Sequence, residues 1–274
     1  NRILSEPLTD NLLNSDDLNE MLAQHGQQHV LQHWSHLNSE EQANLTAQLS
    51  GIDLAELASL VNGKDEDTDF GALAGKASSP PAVRADGSGA DWSPAQARER
   101  GEKALRNGEL GAVIVAGGQG TRLGFDQPKG MFPIGPVSDR TLFQFFADRL
   151  LAVSEKYGCR IPFYIMTSDA TDQETREYFA ANENLGIPAE DLYIFKQGVM
   201  PAVDAATGKL LMQSTNSLAL SPDGHGGTVS ALHRCGCLAD ASKRGIQHLA
   251  YIQVDNPLAH LCEPELVGHH LMAN

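Results

Sequence analysis

Residues 110–130 read LGAVIVAGGQGTRLGFDQPKG. The first seven are apolar or small without interruption, the pattern of a short strand buried on both faces. The polar stretch that follows sets Gly117, Gly118, Gly120 and Gly124 around Arg122 and closes on Pro128, Lys129 and Gly130. Bare backbone beside two cationic side chains suits phosphate, because peptide N–H groups can approach it without Cβ interference. Three phosphate loops share that appearance. In a dinucleotide fingerprint the glycines run G-x-G-x-x-G, but here they are one residue too long, and Asp139 falls in a polar turn rather than at a strand end. A P-loop needs Gly-Lys-Ser/Thr opening a helix, whereas Lys129 precedes Gly130 and Met131. A nucleotidyltransferase loop fits the whole stretch. Gly117, Gly118 and Gly120 would bare their amides, Arg122 would offer a planar fork to terminal phosphates, and Lys129 would set a point charge at the phosphorus under attack. A plain strand-to-helix turn would explain the glycines but not the paired cations.

Working outward, strand and helix alternate from about residue 93. SPAQARERGEKALRNG predicts a helix with Pro94 in its first turn, and TLFQFFADRLLAVSEKYG, TDQETREYFAANENLG and GTVSALHRCGCLADASKRG predict three more. IPFYIMTS, DLYIFKQ, KLLMQ and HLAYIQVDN predict strands between them. Such alternation calls for right-handed crossovers and an α/β fold with a mainly parallel, mixed sheet. Ligands then gather at the carboxyl ends of the strands, where both the glycine loop and Asp255 fall. Residues 1–62 read as a helical N-terminal region, 63–92 as a Gly-, Pro-, Ser- and Asp-rich linker, and 93–274 as a catalytic domain truncated at its C-terminus. Asn1 in place of Met and an ending inside the helical pattern ELVGHHLMA predict a chain cut at both ends.

The formal charge of −15 over 274 residues argues against a nucleic-acid or anionic-membrane partner. No apolar run has spanning length and no signal pattern opens the chain. Four scattered cysteines predict reduced thiols and a cytoplasmic setting.

The stretch AGGQGTRLGFDQPKGMF resembles the signature of the eukaryotic-type UDP-N-acetylglucosamine pyrophosphorylases and their UDP-sugar and UDP-glucose relatives. MLAQHGQQHVLQHWSHLNSEEQANLTAQL is similar to that family's helical N-terminal region, and TLFQFFADRL, IPFYIMTS, FKQGVMPAV, PDGHGG and YIQVDNPL follow in the family's order. The resemblance implies a Rossmann-like nucleotidyltransferase core that joins UTP to a sugar 1-phosphate and releases pyrophosphate. It also implies roles. Gly117 and Gly118 meet the nucleotide, with Gly120 and Thr121 completing the loop, and Arg122 and Lys129 act on the phosphates. Gln197 reads the uracil edge, Gly224 lets the backbone approach the nucleotide, and Asp255 binds Mg²⁺.

One position departs from the pattern. His225 stands where members acting on N-acetylglucosamine usually carry Asn and the UDP-glucose and UDP-sugar branches carry His. The rest of PDGHGG is closer to the N-acetylglucosamine branch, so UDP-N-acetylglucosamine synthesis leads. UDP-glucose or broad UDP-sugar synthesis is the alternative, and a non-catalytic nucleotide-binding relative is a second one.

Two further patterns are weighed and set aside. His25, His29, His33 and His36 would share one helical face, but no acidic or cysteine partner is placed for zinc. Cys235 and Cys237, inside a continuous helix, would point their thiols apart.

Overall fold

The computed structural model describes residues 15–63, 69–80, 82–84 and 87–273. The start of the predicted helical region, parts of the predicted linker and Asn274 lie outside these residues. In chain order the elements begin with α1 (Ser15–Gln24), α2 (Ser39–Ser50), α3 (Leu54–Asn62) and α4 (Phe70–Gly75). They continue with α5 (Pro94–Arg106), β1 (Leu110–Val115), α6 (Leu142–Tyr157), β2 (Phe163–Thr167), α7 (Asp172–Ala181) and β3 (Leu192–Lys196). Four short strands follow: β4 (Val199–Pro201), β5 (Met212–Ser214), β6 (Ser217–Leu218) and β7 (Leu220–Pro222). The described chain closes with α8 (Thr228–Arg234), α9 (Cys237–Lys243), β8 (His248–Gln253) and α10 (Pro264–Ala273). Among them no helix is long and apolar enough to cross a membrane.

The chain divides into two units, and the division is not linear. One unit holds residues 80–198 and 224–274 and is built on a four-stranded sheet of order β3-β2-β1-β8, with every pair parallel. This is the α/β arrangement that the alternating pattern predicts. Ala112, Val113 and Ile114 in β1 and all of β2 are buried, as continuous apolar strands in a covered sheet should be. Phe143, Phe146, Ala147 and Leu150 put one face of α6 into the core at i, i+3, i+4 and i+7. Thr141 caps that helix in a reciprocal box with Gln144, and Gly158 ends it in the left-handed conformation. On the other side of the sheet, α9 is pinned to β2 and β3 because Asp240 accepts from Tyr164 at 3.1 Å and Tyr193 at 2.8 Å.

The other unit joins α1–α4 to residues 199–223, a grouping that the linear reading of 93–274 as one domain does not contain. Leu18, Leu22, Val30, Leu45, Leu49 and Leu54 share a core with Leu210 and Leu218. The Gln27 side chain joins the two segments in both directions, donating to Gly208 O at 3.0 Å and accepting from Leu210 N at 2.9 Å.

Two sequence expectations are corrected here. The stretch 15–36 is not one helix: α1 stops at Gln24, Gly26 takes a left-handed φ of 67°, and 3₁₀ turns follow at Gln28–Leu31 and Trp34–His36. The four histidines therefore share no helical face, and His29 is engaged with Leu210 O at 2.7 Å. Helix α2 is capped by Asn38, with Glu41 closing the box, since an amide oxygen caps as well as a hydroxyl. The predicted helix over 227–245 breaks at Gly236, where φ is 77°.

Packing of α5 on α10 depends on two missing side chains. A methyl on Gly268 would overlap the Ala97 carbonyl, and one on Gly101 would overlap the Pro264 carbonyl. Both glycines sit at negative φ within helices, so the need is for close approach rather than for an unusual backbone. Gly268→Ala is expected to lower stability by about 1–3 kcal/mol, the usual cost of overpacking, read as a shift in urea unfolding midpoint.

Candidate functional site

The glycine loop begins where the chain leaves the sheet. Ala116 N still bonds Met166 O at 2.8 Å, and the next residue, Gly117, lies past the carboxyl edge. There it meets the ends of the neighbouring strands. Ser168 donates to Gly117 O at 2.7 Å, and a methyl on Gly117 would stand 3.2 Å from Gln197 Oε1. Gln197, just past β3, is anchored through its own N–H to Thr167 O at 2.8 Å. Parallel pairing of β1, β2 and β3 thus sets Gln197 beside Gly117.

The loop then folds back on itself. Gly120 N bonds Gln127 O at 2.9 Å and Lys129 N bonds Gly118 O at 3.0 Å. This return lays the lysine side chain along the start of the loop, with Nζ 3.8 Å from where a Gly118 Cβ would be. Thr121 and Arg122 lie in an exposed 3₁₀ turn at the tip. Arg122 has no ion pair among the described residues. Gly130 is pressed against the fully buried ring of Phe143 so closely that a methyl would overlap it. Helix α6 therefore fixes the backbone that carries Lys129.

The second half of the site comes from β8. It runs in register with β1 from Leu110↔His248 to Val115↔Gln253, and Val254 N bonds Val115 O at 3.0 Å. Asp255 follows, and its Oδ2 lies 3.1 Å from Lys129 Nζ. The lysine side chain is 22% exposed and the aspartate 51%, so the pair faces solvent on the acidic side. Partial burial pushes the Asp255 carboxyl up, but the hydrogen bond from Lys129, the Asp255 backbone N–H and the charges of Lys129 and His225 together outweigh it. The net result is a carboxyl below its usual range. Beyond it, Arg149 on α6 donates to the carbonyls of Pro257 and of Ala259, the latter at 3.0 Å, and holds the loop leaving Asp255.

His225 lies exposed just after Gly224, which has a φ of 63°. Its Nδ1 is 2.6 Å from the hydroxyl of Tyr251 on β8. That contact fixes one ring nitrogen and leaves Nε2 for a ligand.

The structure thus gathers Gly117, Gly118, Gln197, Lys129 and Asp255, with His225 near enough to act on Asp255. Sequence reasoning did not find Tyr251, Arg149, Ser168 or Phe143. Tyr251 had a weak signal, as a polar-tipped aromatic four residues before Asp255, on the strand that leads to it. The others act through contacts that spacing does not encode.

Chemically, the pocket offers peptide amides, one ammonium and one hard oxygen donor. Mg²⁺ is held by one or two carboxylates together with phosphate oxygens and water, and Asp255 fits that donor set. Among the described residues no group of three or more His, Cys, Asp or Glu could hold a metal, so the protein alone forms no cage.

The family profile described as UTP–glucose-1-phosphate uridylyltransferase matches residues 94–274, and the chain belongs to that family. UDP-N-acetylglucosamine diphosphorylase 1 of Arabidopsis thaliana is 32% identical over 92% of this chain and 52% of its own length. The UDP-N-acetylglucosamine pyrophosphorylase of Saccharomyces cerevisiae is 38% identical over 61% of this chain and 36% of its own. Among solved structures, the uridine diphosphate N-acetylglucosamine pyrophosphorylase of Trypanosoma brucei, in complex with an inhibitor, superposes with a TM-score of 0.77. It is 26% identical, over 97% of this chain and 56% of that one. The chain spans about half the length of the Arabidopsis and trypanosome proteins it matches.

A carboxyl titrating below the usual 3.8 stabilises the fold fully above that value and loses the contribution only as pH falls through its lower folded value. Carboxyl-resolved NMR is expected to place Asp255 below 3.8 and to show its midpoint rising in Lys129→Ala. An unmoved midpoint would mean that the pair is not formed in solution.

Proposed function

We propose that the protein is a uridylyltransferase that joins UTP and N-acetylglucosamine 1-phosphate into UDP-N-acetylglucosamine, releasing pyrophosphate, in the cytoplasm and with Mg²⁺. The observation that carries this reading is the Lys129–Asp255 pair, 3.1 Å apart at the lip of the glycine loop. Family membership and the named relatives support the reaction class.

The chemistry is a problem of charge and position. A sugar phosphate oxygen attacks the α-phosphorus of UTP in line, both partners are anions, and no covalent nucleophile is needed. Gly118 is exposed and Gly117 partly so, where their amides would meet the phosphate chain, and the Gln197 amide, which both donates and accepts, matches a uracil edge. Lys129 and Asp255 hold each other while the pocket is free. On substrate binding the ammonium turns to the α-phosphate, and Asp255, released from it, would be the residue to hold Mg²⁺. When bound, Mg²⁺ offsets charge on the phosphate oxygens. Arg122, exposed at the loop tip and without an ion pair among the described residues, is placed to close on the departing pyrophosphate.

His225 supports a second reading, in which the sugar is glucose or is loosely selected. Its imidazole, steadied by Tyr251, reaches differently from an asparagine amide.

Pyrophosphate release by the full-length protein, measured from UTP with N-acetylglucosamine 1-phosphate and separately with glucose 1-phosphate, distinguishes the two. Release with neither would leave a nucleotide-binding protein without catalysis. Lys129→Ala is expected to lower kcat by about 10²–10³-fold while the KM for UTP changes only a few-fold, the signature of a charge used in the transition state. Turnover near the wild-type level would remove Lys129 from the reaction.

A further inference from the structure

We propose that Cys235 and Cys237 form a dithiol modification site that closes to an intramolecular disulfide by exchange with a low-molecular-weight disulfide. In an unbroken helix, residues two apart are rotated by about 200°, and their thiols diverge. The break at Gly236 reverses this outcome. Cys235 caps α8, Cys237 opens α9, and the left-handed glycine between them folds one sulfur onto the other at 3.0 Å.

The two thiols are unequal in a way that suits exchange. Cys235 is partly exposed, whereas Cys237 is 4% exposed and packed with Tyr164, Leu232 and Ala241. The sulfur–sulfur hydrogen bond shared with Cys237 draws the Cys235 thiol down to about 7 against the opposing effect of burial, with backbone N–H groups and the charge of Arg234 assisting. The same bond, burial, and the charges of Cys235 and Asp240 push the Cys237 thiol far up. The charged and titratable groups around the pair are Arg234 on α8, Asp240 on α9 and Tyr164 on β2. Asp240 is itself held by Arg244, Tyr164 and Tyr193. A partly exposed thiol lowered toward neutral pH with a buried thiol behind it is the arrangement of an attacking and a resolving cysteine.

The step balances without further reagents. The Cys235 thiolate attacks one sulfur of the small disulfide, its S–S bond breaks, and the first thiolate leaves and takes a proton from water. Cys237 then gives its proton to water and attacks Cys235 Sγ in the mixed disulfide. The Sγ–Sγ bond forms, and the second small thiolate leaves and is protonated. Two protein thiols are oxidised and one disulfide is reduced.

A test is available because trypsin cutting after Arg234 and Lys243 isolates both cysteines in one peptide, CGCLADASK. The full-length protein is incubated with oxidised glutathione at pH 7, quenched in acid, alkylated and digested. The expected product is this peptide lighter by two hydrogens and unalkylated, formed in wild type and absent in Cys235→Ser. Iodoacetamide labelling of Cys235 should titrate near 7 in wild type and move toward the ordinary 9.0 in Cys237→Ala, slowing labelling at pH 7 by about tenfold or more. Two results would overturn the proposal: a peptide that stays reduced or carries only glutathione adducts, or a Cys235 titration that does not move in Cys237→Ala. Cys159 and Cys262, both with thiols raised by burial, serve as slow internal references.

Discussion

Everything at the carboxyl edge of the sheet turns on one ion pair between residues far apart in the chain. Lys129 and Asp255 can meet only because β8 lies beside β1, parallel and in register, so that both strands end at the same level. The loop after β1 then has to double back, which it does through the bonds of Gly120 and Lys129 to Gln127 and Gly118. A slip of one residue in either strand would turn the following side chains to the opposite face. Solvent-exposed ion pairs contribute little stability, and this one is half-exposed. Its place at the open end of the glycine loop is better explained by use than by folding.

A single helix braces both sides of that pair. Phe143, near the start of α6, is packed so tightly under Gly130 that the backbone after Lys129 has one available height. Arg149, about two turns on, grips the carbonyls after Asp255. The helix is held in turn by its cap, its glycine stop and four core contacts in sequence. Precision at the site thus comes from a buried element that touches no ligand, as preorganised sites generally require.

Much of the fold was legible because local physics and global packing agreed. The apolar run at 110–116, the capped helix at 142–157 and the strands at 163–167 and 192–196 each carried their own signal. The glycine loop, Lys129, Gln197 and Asp255 were legible as a group through their chemistry and their family resemblance. Where reading failed, a glycine usually decided. Gly26 and Gly236 each take a left-handed conformation that interrupts an otherwise helical pattern, and pattern alone does not distinguish a tolerated glycine from a stop. The first break dispersed four histidines, and the second brought two thiols together. Residues 199–223 were read with the strands around them, yet Leu210 and Leu218 complete a core with helices nearly two hundred residues earlier.

By itself, the sequence determined which segments could be strands or helices and which residues had the charge and bareness to meet a phosphate chain, because those properties belong to side chains and their near neighbours. The tertiary structure alone decided that β8 joins β1, that Gln197 stands beside Gly117, and that Tyr251 fixes His225. These are long-range choices. They follow from how buried surfaces are shared among distant elements, and periodicity along a chain carries no record of that sharing.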